Sequence, residues 1–369
     1  MSTPRVSVIV PTYNKARYLE LSLASWRHQR FSDYELIIID DGSTDSTPEV
    51  LRKYSDRLPM RCINSDHRGR SFARNRGLEA ARGSIVIFAD DDRVVPPDFS
   101  STHVTALETS PGPWVMLGWD YDLLVEFGGT DKTISPAPIV ARLLKERPQL
   151  ATQLSLGRRV QAIDAADIDS GFSRIPHFLV PSIWQSFVGS IVEVYGDDIS
   201  DCPLAWACGY TGNMATRREL LERTGGFDET FTGWGLEDTE LLYRLVKAGA
   251  RTRVLKEAVN FHQTHPRDLA SQKWEWVRNA KTFLARHESM DVAMLIQVYF
   301  TNTSLPDACR ILAEARAAGE TPLVQAYRRL LISQAQQLAT LADMSMAGDA
   351  AAALRRPAAA GSQTPLSKL

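Results

Sequence analysis

The sequence predicts an α/β fold, in which helices flank a mostly parallel central sheet and a helical extension follows. The N-terminal part alternates short apolar runs with segments of helical periodicity. The run at 6–10 (VSVIV) carries no charge, which is typical of a strand buried on both faces. From Gln272 onward the periodicity is helical. Strand–helix alternation of this kind favours a parallel sheet with right-handed crossovers.

The N-terminal elements follow one another at short intervals. Strands are predicted at 6–10, 36–39, 61–64 and 85–89. Helices are predicted at 16–26 and 72–81. Between them, a further helix is predicted that is capped by Ser43 and Thr44 and ends at Leu51. The first helix has a stripe of apolar residues at helical spacing, namely Tyr18, Leu19, Leu23 and Trp26.

The later elements define three regions. A strand is expected at 114–119, a helix at 139–147, a strand at 258–261 and an amphipathic helix at 321–343. We predict an α/β domain over 1–266, in which about 120–205 is a variable region that builds a pocket or lid. A helical region follows at 267–345. The Ala-, Pro-, Ser- and Gly-rich segment 346–369 is predicted to be a disordered tail.

The composition is that of an ordinary globular protein. Of 369 residues, 44% are hydrophobic and 23% are charged, and the formal net charge is -2. This balance gives no electrostatic reason to expect nucleic acid as a partner. No apolar run approaches the roughly 18 residues that cross a bilayer, so any membrane association would be peripheral.

The location is predicted from the cysteines and the N-terminus. Cys62, Cys202, Cys208 and Cys309 show no metal-binding spacing, which favours a reduced cytoplasmic setting. A disulfide between Cys202 and Cys208 remains an alternative. The first residues do not resemble a signal peptide, because their apolar run is short and ends at a proline. We therefore expect a cytoplasmic protein, with the inner face of the membrane as the place of any peripheral docking.

Polar clusters follow three of the predicted strands. They lie at 11–14, 40–44 and 90–92. Ligands of parallel α/β sheets bind outside the carboxyl ends of the strands. The sequence therefore predicts a binding site along one edge of the sheet.

The last of these clusters consists of Asp90, Asp91 and Asp92. Adjacent carboxylates repel one another unless a cation neutralises them. Asp90 and Asp92 would point the same way if the strand geometry persisted. Carboxylate oxygens suit Mg²⁺ or Mn²⁺. The alternative interpretation is a solvated turn before the prolines at 96 and 97.

A second pair of acids, Glu237 and Asp238, follows a Gly-Trp-Gly turn at 233–235. Acidic residues favour the first turn of a helix, where the helix dipole is positive. The pair is therefore either a helix start or a reaction centre.

Four stretches together resemble the family 2 glycosyltransferases with the GT-A fold. They are VSVIVPTYN (6–14), ELIIIDDGSTDST (35–47), RSFARNRGLEAARGSIVIFADDD (70–92) and GWGLEDTELLYRL (233–245). The segment 212–241 is similar to the branch with chondroitin polymerase and the polypeptide N-acetylgalactosaminyltransferases. The resemblance implies a metal-dependent, inverting enzyme that moves a sugar from a nucleotide-diphosphate donor, usually a UDP-sugar, to an acceptor hydroxyl.

The resemblance also implies a donor site. Matching positions in the family bind the nucleotide sugar, and here they are Pro11, Thr12, Tyr13, Asp41, Arg74, Asp91 and Asn213. Asp41 would accept a hydrogen bond from the base, and Asp91 would lie against the ribose or the donor sugar.

For the metal, the resemblance implies Asp92 as a ligand of Mn²⁺ or Mg²⁺, with Asp90 as a further candidate. The family often adds a downstream histidine, and FHQTHP (261–266) offers His262 and His265. We expect His262, because it directly follows a predicted strand. A zinc site at the two histidines is the rival interpretation, but it lacks companion ligands.

For the chemistry, the resemblance implies that Asp238 is the general base. The acceptor hydroxyl is a weak nucleophile and needs a base as the new bond forms. Glu237 would hydrogen-bond the acceptor, and Trp234 would offer a flat face to a sugar ring.

Two other functions remain as alternatives. A nucleotidyltransferase can share such a sheet and its acids, but PTYN stands where a glycine-rich loop is expected. The second alternative is an inactive scaffold that only binds sugar nucleotides. The presence of Asp92, Asp238 and His262 argues against it. The acceptor remains open between a glycan, a lipid-linked sugar, a peptide and a small molecule. The helices from Gln272 to Asp343 could bind that acceptor or a partner.

Overall fold

The computed structural model describes residues 3–128, 136–301 and 303–354. The strands are β1 Val6–Thr12, β2 Tyr34–Asp40, β3 Met60–Asn64, β4 Ile85–Ala89, β5 Arg93–Val94, β6 Trp114–Leu123, β7 Glu126–Phe127, β8 Val160–Gln161, β9 Leu179–Pro181, β10 Asn213–Arg217 and β11 Arg251–Gln263. The α-helices are α1 Ala16–Trp26, α2 Thr47–Tyr54, α3 Arg70–Ala80, α4 Phe99–Thr109, α5 Ala137–Glu146, α6 Ala151–Ser155, α7 Ala165–Asp169, α8 Ile183–Tyr195, α9 Arg218–Thr224, α10 Glu237–Lys247, α11 Leu269–His287, α12 Met290–Phe300, α13 Leu305–Ala317 and α14 Pro322–Leu354.

Nine of the described strands form one sheet in the order β3-β2-β1-β4-β10-β6-β11-β5, with β9 paired to β6. The first four strands are parallel, as the strand–helix alternation predicts. Strand β10 then inserts antiparallel between β4 and β6. Strand β11 runs parallel to β6 and antiparallel to β5. The sheet is therefore parallel in its N-terminal half and mixed beyond β4.

The predicted caps of the second helix are wrong, because α2 begins at Thr47. The backbone N–H of Ser43 donates to the Asp40 carboxylate at 2.9 Å, and that of Thr44 donates to the Asn14 side chain at 2.7 Å. These bonds hold residues 43 and 44 in a loop. Side chains of this type often satisfy the backbone of turns instead of helices.

The core has one hydrophobic cluster on each face of the sheet, because successive side chains of a strand alternate between faces. On one face, Val8 packs in the same cluster as Trp26 of α1. On the other face, Ile9 shares a cluster with Phe283 of α11 and Leu295 of α12. The C-terminal helices therefore complete one face of the core.

The end of the chain differs from the predicted tail in part. Helix α14 continues to Leu354, which lies inside the segment 346–369. Residues 355–369 lie outside the described residues. Across the described ranges, the helices are all too short or too polar to cross a membrane.

The four cysteines are free thiols. Cys202 contacts Cys309 of α13, with 3.0 Å between the two sulfur atoms. The alternative of a Cys202–Cys208 disulfide is therefore wrong in this structure.

Candidate active site

The carboxyl ends of β1 and β4 meet through Thr12 and Asp91. The Thr12 hydroxyl donates to the Asp91 carboxylate at 2.7 Å, and both side chains are buried. Burial and the neighbouring Asp92 raise the pKa of Asp91 to about 7. This contact brings two of the three predicted clusters together at one edge of the sheet.

Asp41, at the end of β2, holds the neighbouring loop. Its carboxylate accepts hydrogen bonds from the backbone N–H groups of Arg68 and Gly69, at 3.0 and 2.7 Å. The ring of His67 in the same loop stacks on Tyr13, with 3.8 Å between ring centroids. Pro11 lies half-buried within β1. Three of the predicted donor-site residues, Pro11, Tyr13 and Asp41, thus line one side of the edge.

A cluster of possible metal ligands lies on the other side. Oxygen and nitrogen atoms of Asp92, His262 and His265 lie within 4.8 Å of one another. Asp92 Oδ2 is 3.1 Å from His265 Nε2 and 3.7 Å from His262 Nε2. The structure therefore brings both candidate histidines to Asp92.

Asp122, at the end of β6, orients His262. The Asp122 carboxylate lies 2.7 Å from His262 Nδ1, which leaves Nε2 facing Asp92. A carboxylate behind a histidine is the usual arrangement at metal sites. Asp122 was not predicted from the sequence, because its pairing with His262 depends on the register of β6 and β11.

Lys15 is a second residue of the site that was not predicted from the sequence. Its ammonium lies 3.2 Å from Asp92 Oδ2 and 2.8 Å from His265 Nε2. Although burial opposes it, the charges and hydrogen bonds of His262, His265 and Lys15 hold the pKa of Asp92 well below its usual range. The position of Lys15 directly after the PTYN stretch (11–14) was the signal in the sequence that could have identified it.

Asp90 faces a different partner from Asp92. Strand β4 ends at Ala89, so the alternation of the strand does not continue into the acidic triplet. The Asp90 carboxylate accepts a hydrogen bond from Arg74 at 3.0 Å. The cluster of possible metal ligands in the described chain does not contain Asp90. This placement argues against the predicted role of Asp90 as a ligand.

Arg74 joins the acidic triplet to the second acidic pair. Its guanidinium is buried and donates to Glu237 at 3.0 Å as well as to Asp90. Glu237 also accepts from the backbone N–H of Gly235 at 3.1 Å and is only 3% exposed. Both oxygens of Glu237 are thus engaged inside the protein. This placement argues against direct contacts of Arg74 with the donor and of Glu237 with the acceptor.

Asp238 lies in the first turn of α10 and is half-buried. Its carboxylate accepts hydrogen bonds from the backbone N–H of Thr239 at 2.8 Å and, more weakly, of Thr211 at 3.4 Å. Burial and the charge of Glu237 raise the pKa of Asp238 to about 7. A carboxyl group with a pKa near neutrality can take up a proton during a reaction.

The loop before α10 is held by a C-terminal helix. Gly233, Gly235 and Leu236 have positive φ angles of 75°, 100° and 70°. Glu275 of α11 accepts from the backbone N–H of Trp234 at 2.8 Å, and the indole is half-buried. The two acids of α10 therefore depend on α11 for their position.

The structure places Asn213 inside the sheet. Its side chain is fully buried and donates to the carbonyl oxygens of Ala258 and Trp119, at 2.8 and 3.2 Å. Its Oδ1 lies 2.8 Å from His103 Nε2. All its hydrogen-bonding groups are engaged, so the predicted side-chain contact with the nucleotide sugar does not fit this structure.

Two families match the sequence in adjacent parts. Residues 7–147 match Glycosyl transferase family 2, and residues 197–266 match the N-terminal domain of galactosyltransferase. These ranges contain the acidic triplet and the second acidic pair, respectively.

Two curated relatives cover most of this chain. Validoxylamine A glucosyltransferase of Streptomyces hygroscopicus subsp. jinggangensis is 30% identical over 78% of this chain and 62% of its own. Chondroitin synthase of Escherichia coli is 27% identical over 71% of this chain and 35% of its own. The chain thus spans less than two thirds of either relative.

Solved structures show the same fold. The mannosyltransferase PcManGT from Pyrobaculum calidifontis aligns with a TM-score of 0.50 and 20% identity, over 96% of this chain and 79% of its own. Residues 1–349 of S. aureus TarS align with a TM-score of 0.52 and 17% identity, over 94% and 92%. The likeness of these structures shows that the chain has the GT-A fold. Within it, residues 7–147 form a family 2 glycosyltransferase domain.

Proposed function

We propose that this protein is a metal-dependent, inverting glycosyltransferase that moves a sugar from a UDP-sugar to an acceptor hydroxyl. The observation that carries the proposal is the position of Asp238. This carboxyl group has a pKa of about 7 and contacts Thr211, two residues before Asn213 of β10. Asn213 pairs with Ala89, the last residue of β4, and β4 leads directly to Asp92 of the cluster. The Arg74 contacts with Asp90 and Glu237 connect the two groups.

The residues of the cluster fit a divalent cation. Asp92 Oδ1 is buried and has no hydrogen-bond partner among the described residues, and Asp122 directs His262 towards Asp92. Asp92, His262 and His265 would hold Mn²⁺ or Mg²⁺. When bound, such a cation stabilises the negative charge of a leaving diphosphate. Lys15 and Arg267, which contact the cluster, add positive charge for the same diphosphate.

The chemistry assigned to the chain is a single displacement. Ionised Asp238 accepts the proton of the acceptor hydroxyl while the oxygen of that hydroxyl attacks the anomeric carbon of the donor sugar. The bond from that carbon to the diphosphate oxygen breaks, and the configuration inverts because one base acts opposite the leaving group. Glu237, held by Arg74, is a positioning residue that raises the basicity of Asp238.

The nucleotide is assigned to the side with Tyr13, Asp41 and His67. The PcManGT structure contains GDP-Man and Mn²⁺, and the TarS structure contains UDP-GlcNAc. The fold therefore accepts different nucleotides, and UDP is proposed for this chain from the resemblance of its motifs. We place the reaction in the cytoplasm, in keeping with four free cysteines.

The proposal is tested by thermal unfolding with UDP-, GDP- and dTDP-sugars, each with and without Mn²⁺. A ligand that binds the native state raises the unfolding temperature. We expect one UDP-sugar to do so in a Mn²⁺-dependent way and to release UDP on incubation. If a sugar nucleotide binds but its nucleotide is not released, whichever acceptor is added, the result would favour the inactive scaffold. Release of pyrophosphate from a nucleoside triphosphate would favour a nucleotidyltransferase.

A further inference from the structure

Six aromatic side chains from distant parts of the chain form two groups, and the rings within each group contact one another. In the first group, Trp184 of α8 contacts Trp119 and Tyr210, with ring centroids 6.2 and 5.4 Å apart. In the second, Tyr299 of α12 contacts Trp276 and Phe187, at 4.4 and 6.4 Å. We call these six residues the ring wall. None of them is fully buried, and Tyr299 is 49% exposed.

The first group ends at the proposed base. Tyr210 directly precedes Thr211, whose backbone N–H donates to Asp238. The Tyr210 ring also lies against the guanidinium of Arg93, 4.9 Å from the ring centroid. Arg93 directly follows the metal-ligand candidate Asp92. Through Tyr210 the first group therefore neighbours both Thr211, which contacts the base, and Arg93, which follows Asp92.

The second group reaches the same base from the C-terminal helices. Trp276 packs on the loop before α10 so closely that a Cβ atom on Gly235 would lie 2.8 Å from its ring. Although the Tyr299 ring is half exposed, desolvation of its phenol and the charge of Asp238 raise its pKa to about 12. Because the Tyr299 ring packs on Trp276, with ring centroids 4.4 Å apart, the second group extends outward from the loop that carries the two acids.

The surface is amphipathic and not uniformly apolar. The Tyr210 phenol oxygen is buried without a hydrogen-bond partner among the described residues, and buried polar groups normally have one. Tyrosine and tryptophan combine a flat apolar face with a polar edge. A pyranose ring has the matching shape, with C–H groups on its faces and hydroxyl groups at its edge. An alkyl chain would leave the polar groups unpaired, which is unfavourable.

We propose that the acceptor is itself a cyclic sugar or cyclic polyol whose ring stacks on the ring wall, with one hydroxyl directed to Asp238. The helices α11 and α12 then determine acceptor specificity through Trp276 and Tyr299. This inference rests on the proposed transfer reaction and adds the chemical class of the acceptor.

The test is saturation-transfer NMR on the full chain without donor. The probes are methyl β-D-glucopyranoside, methyl β-D-galactopyranoside, N-acetylglucosamine and maltose, with sorbitol as an acyclic polyol. We expect at least one cyclic probe to bind more tightly than sorbitol. Tyr299→Ala should weaken that binding about fivefold or more, as expected for one lost stacking contact. Tyr299→Phe should retain it, because the ring is kept.

Two further variants control for folding. Trp184→Ala removes a ring of the first group and should also weaken binding, so the test does not depend on Tyr299→Ala being folded. Trp274→Ala removes an exposed indole from α11 outside the ring wall and should leave binding unchanged. Circular dichroism of each variant reports its folding.

Several outcomes overturn the inference. One is that no cyclic probe binds. Another is that sorbitol binds as tightly as the cyclic probes. A third is that the Tyr299→Ala and Trp184→Ala variants bind the cyclic probe as tightly as the wild type does. Tighter binding of octyl than of methyl β-D-glucopyranoside that depends on Tyr299 would assign the rings to a lipid chain instead. Donor turnover is measured separately on the wild type. Ring-dependent sugar binding without donor turnover would refute the transfer reaction alone, and turnover without such binding would refute this inference alone.

Discussion

Arg74 and Glu237 form a buried ion pair, with 3.0 Å between Nη1 and Oε1 and less than a twentieth of either side chain exposed. Arg74 lies on α3 and Glu237 begins α10, so the pair joins two segments far apart in the sequence. Because Arg74 also contacts Asp90, the pair ties the end of β4 to the helix that carries Asp238. The buried charge of Glu237 in turn raises the pKa of Asp238.

Arg74→Gln is expected to destabilise the fold by about 3–5 kcal/mol, because it leaves Glu237 with an uncompensated buried charge. The free energy of unfolding in urea measures this loss. The double variant Arg74→Gln/Glu237→Gln should lose less than the sum of the two single variants, since no buried charge remains at position 237. Arg76→Gln, on the exposed side of the same helix, is the matched control. A loss no larger than that of the control would contradict the structural role of the pair.

The pH dependence of the reaction should follow Asp238. Burial and Glu237 raise its pKa from 3.8 to about 7, and the base acts only when ionised. We therefore expect kcat/KM to rise with pH through an inflection near 7. Glu237→Gln removes the neighbouring negative charge and should move the inflection to lower pH. An unchanged inflection in Glu237→Gln, or activity that falls as pH rises through neutrality, would argue against Asp238 as the base.

The same pKa shift predicts a stability effect of opposite sense. Between 3.8 and about 7 the folded state holds a proton on Asp238 that the unfolded state has released. Stability therefore falls as pH rises across this window, and the full loss is present above it. Asp238→Asn should remove this loss and raise the unfolding temperature relative to wild type at pH 8 but much less at pH 4. Equal differences at both pH values would show that the carboxyl group is not held protonated by the fold.

Asp122 is expected to act on the metal site through His262. Asp122→Asn should weaken Mn²⁺ binding about 10- to 100-fold, because the imidazole loses the carboxylate that orients it. Isothermal titration calorimetry with MnCl₂ alone measures this without any activity assay. Asp98→Asn removes an exposed carboxylate elsewhere and serves as the control. Undiminished Mn²⁺ affinity in Asp122→Asn would remove Asp122 from the site.

Local sequence patterns predicted the N-terminal half of the fold well. Strand β4 and helix α1 have the predicted bounds, because burial and helical periodicity are properties of neighbouring residues. The strand-end rule also placed Thr12 and Asp91 at one edge, and they are hydrogen-bonded there.

The sequence could not predict contacts that depend on distant pairing. The placement of Asn213 differs from expectation because β10 inserts antiparallel into the sheet and its side chain donates to Ala258 within the sheet. The position of the Trp234 loop depends on Glu275, which lies 41 residues later in the chain, on α11. The placement of Asp90 differs from expectation for a local reason, since β4 ends at Ala89 and its alternation does not extend through residues 90–92.

The proposed reaction requires that Asp238 takes the proton of the acceptor hydroxyl. The most direct measurement is the rate of sugar transfer by Asp238→Asn, with the donor and Mn²⁺ at saturation as judged from thermal unfolding. We expect a rate about 10²- to 10⁴-fold below wild type, with the donor still bound. A variant that transfers the sugar at the wild-type rate would contradict it.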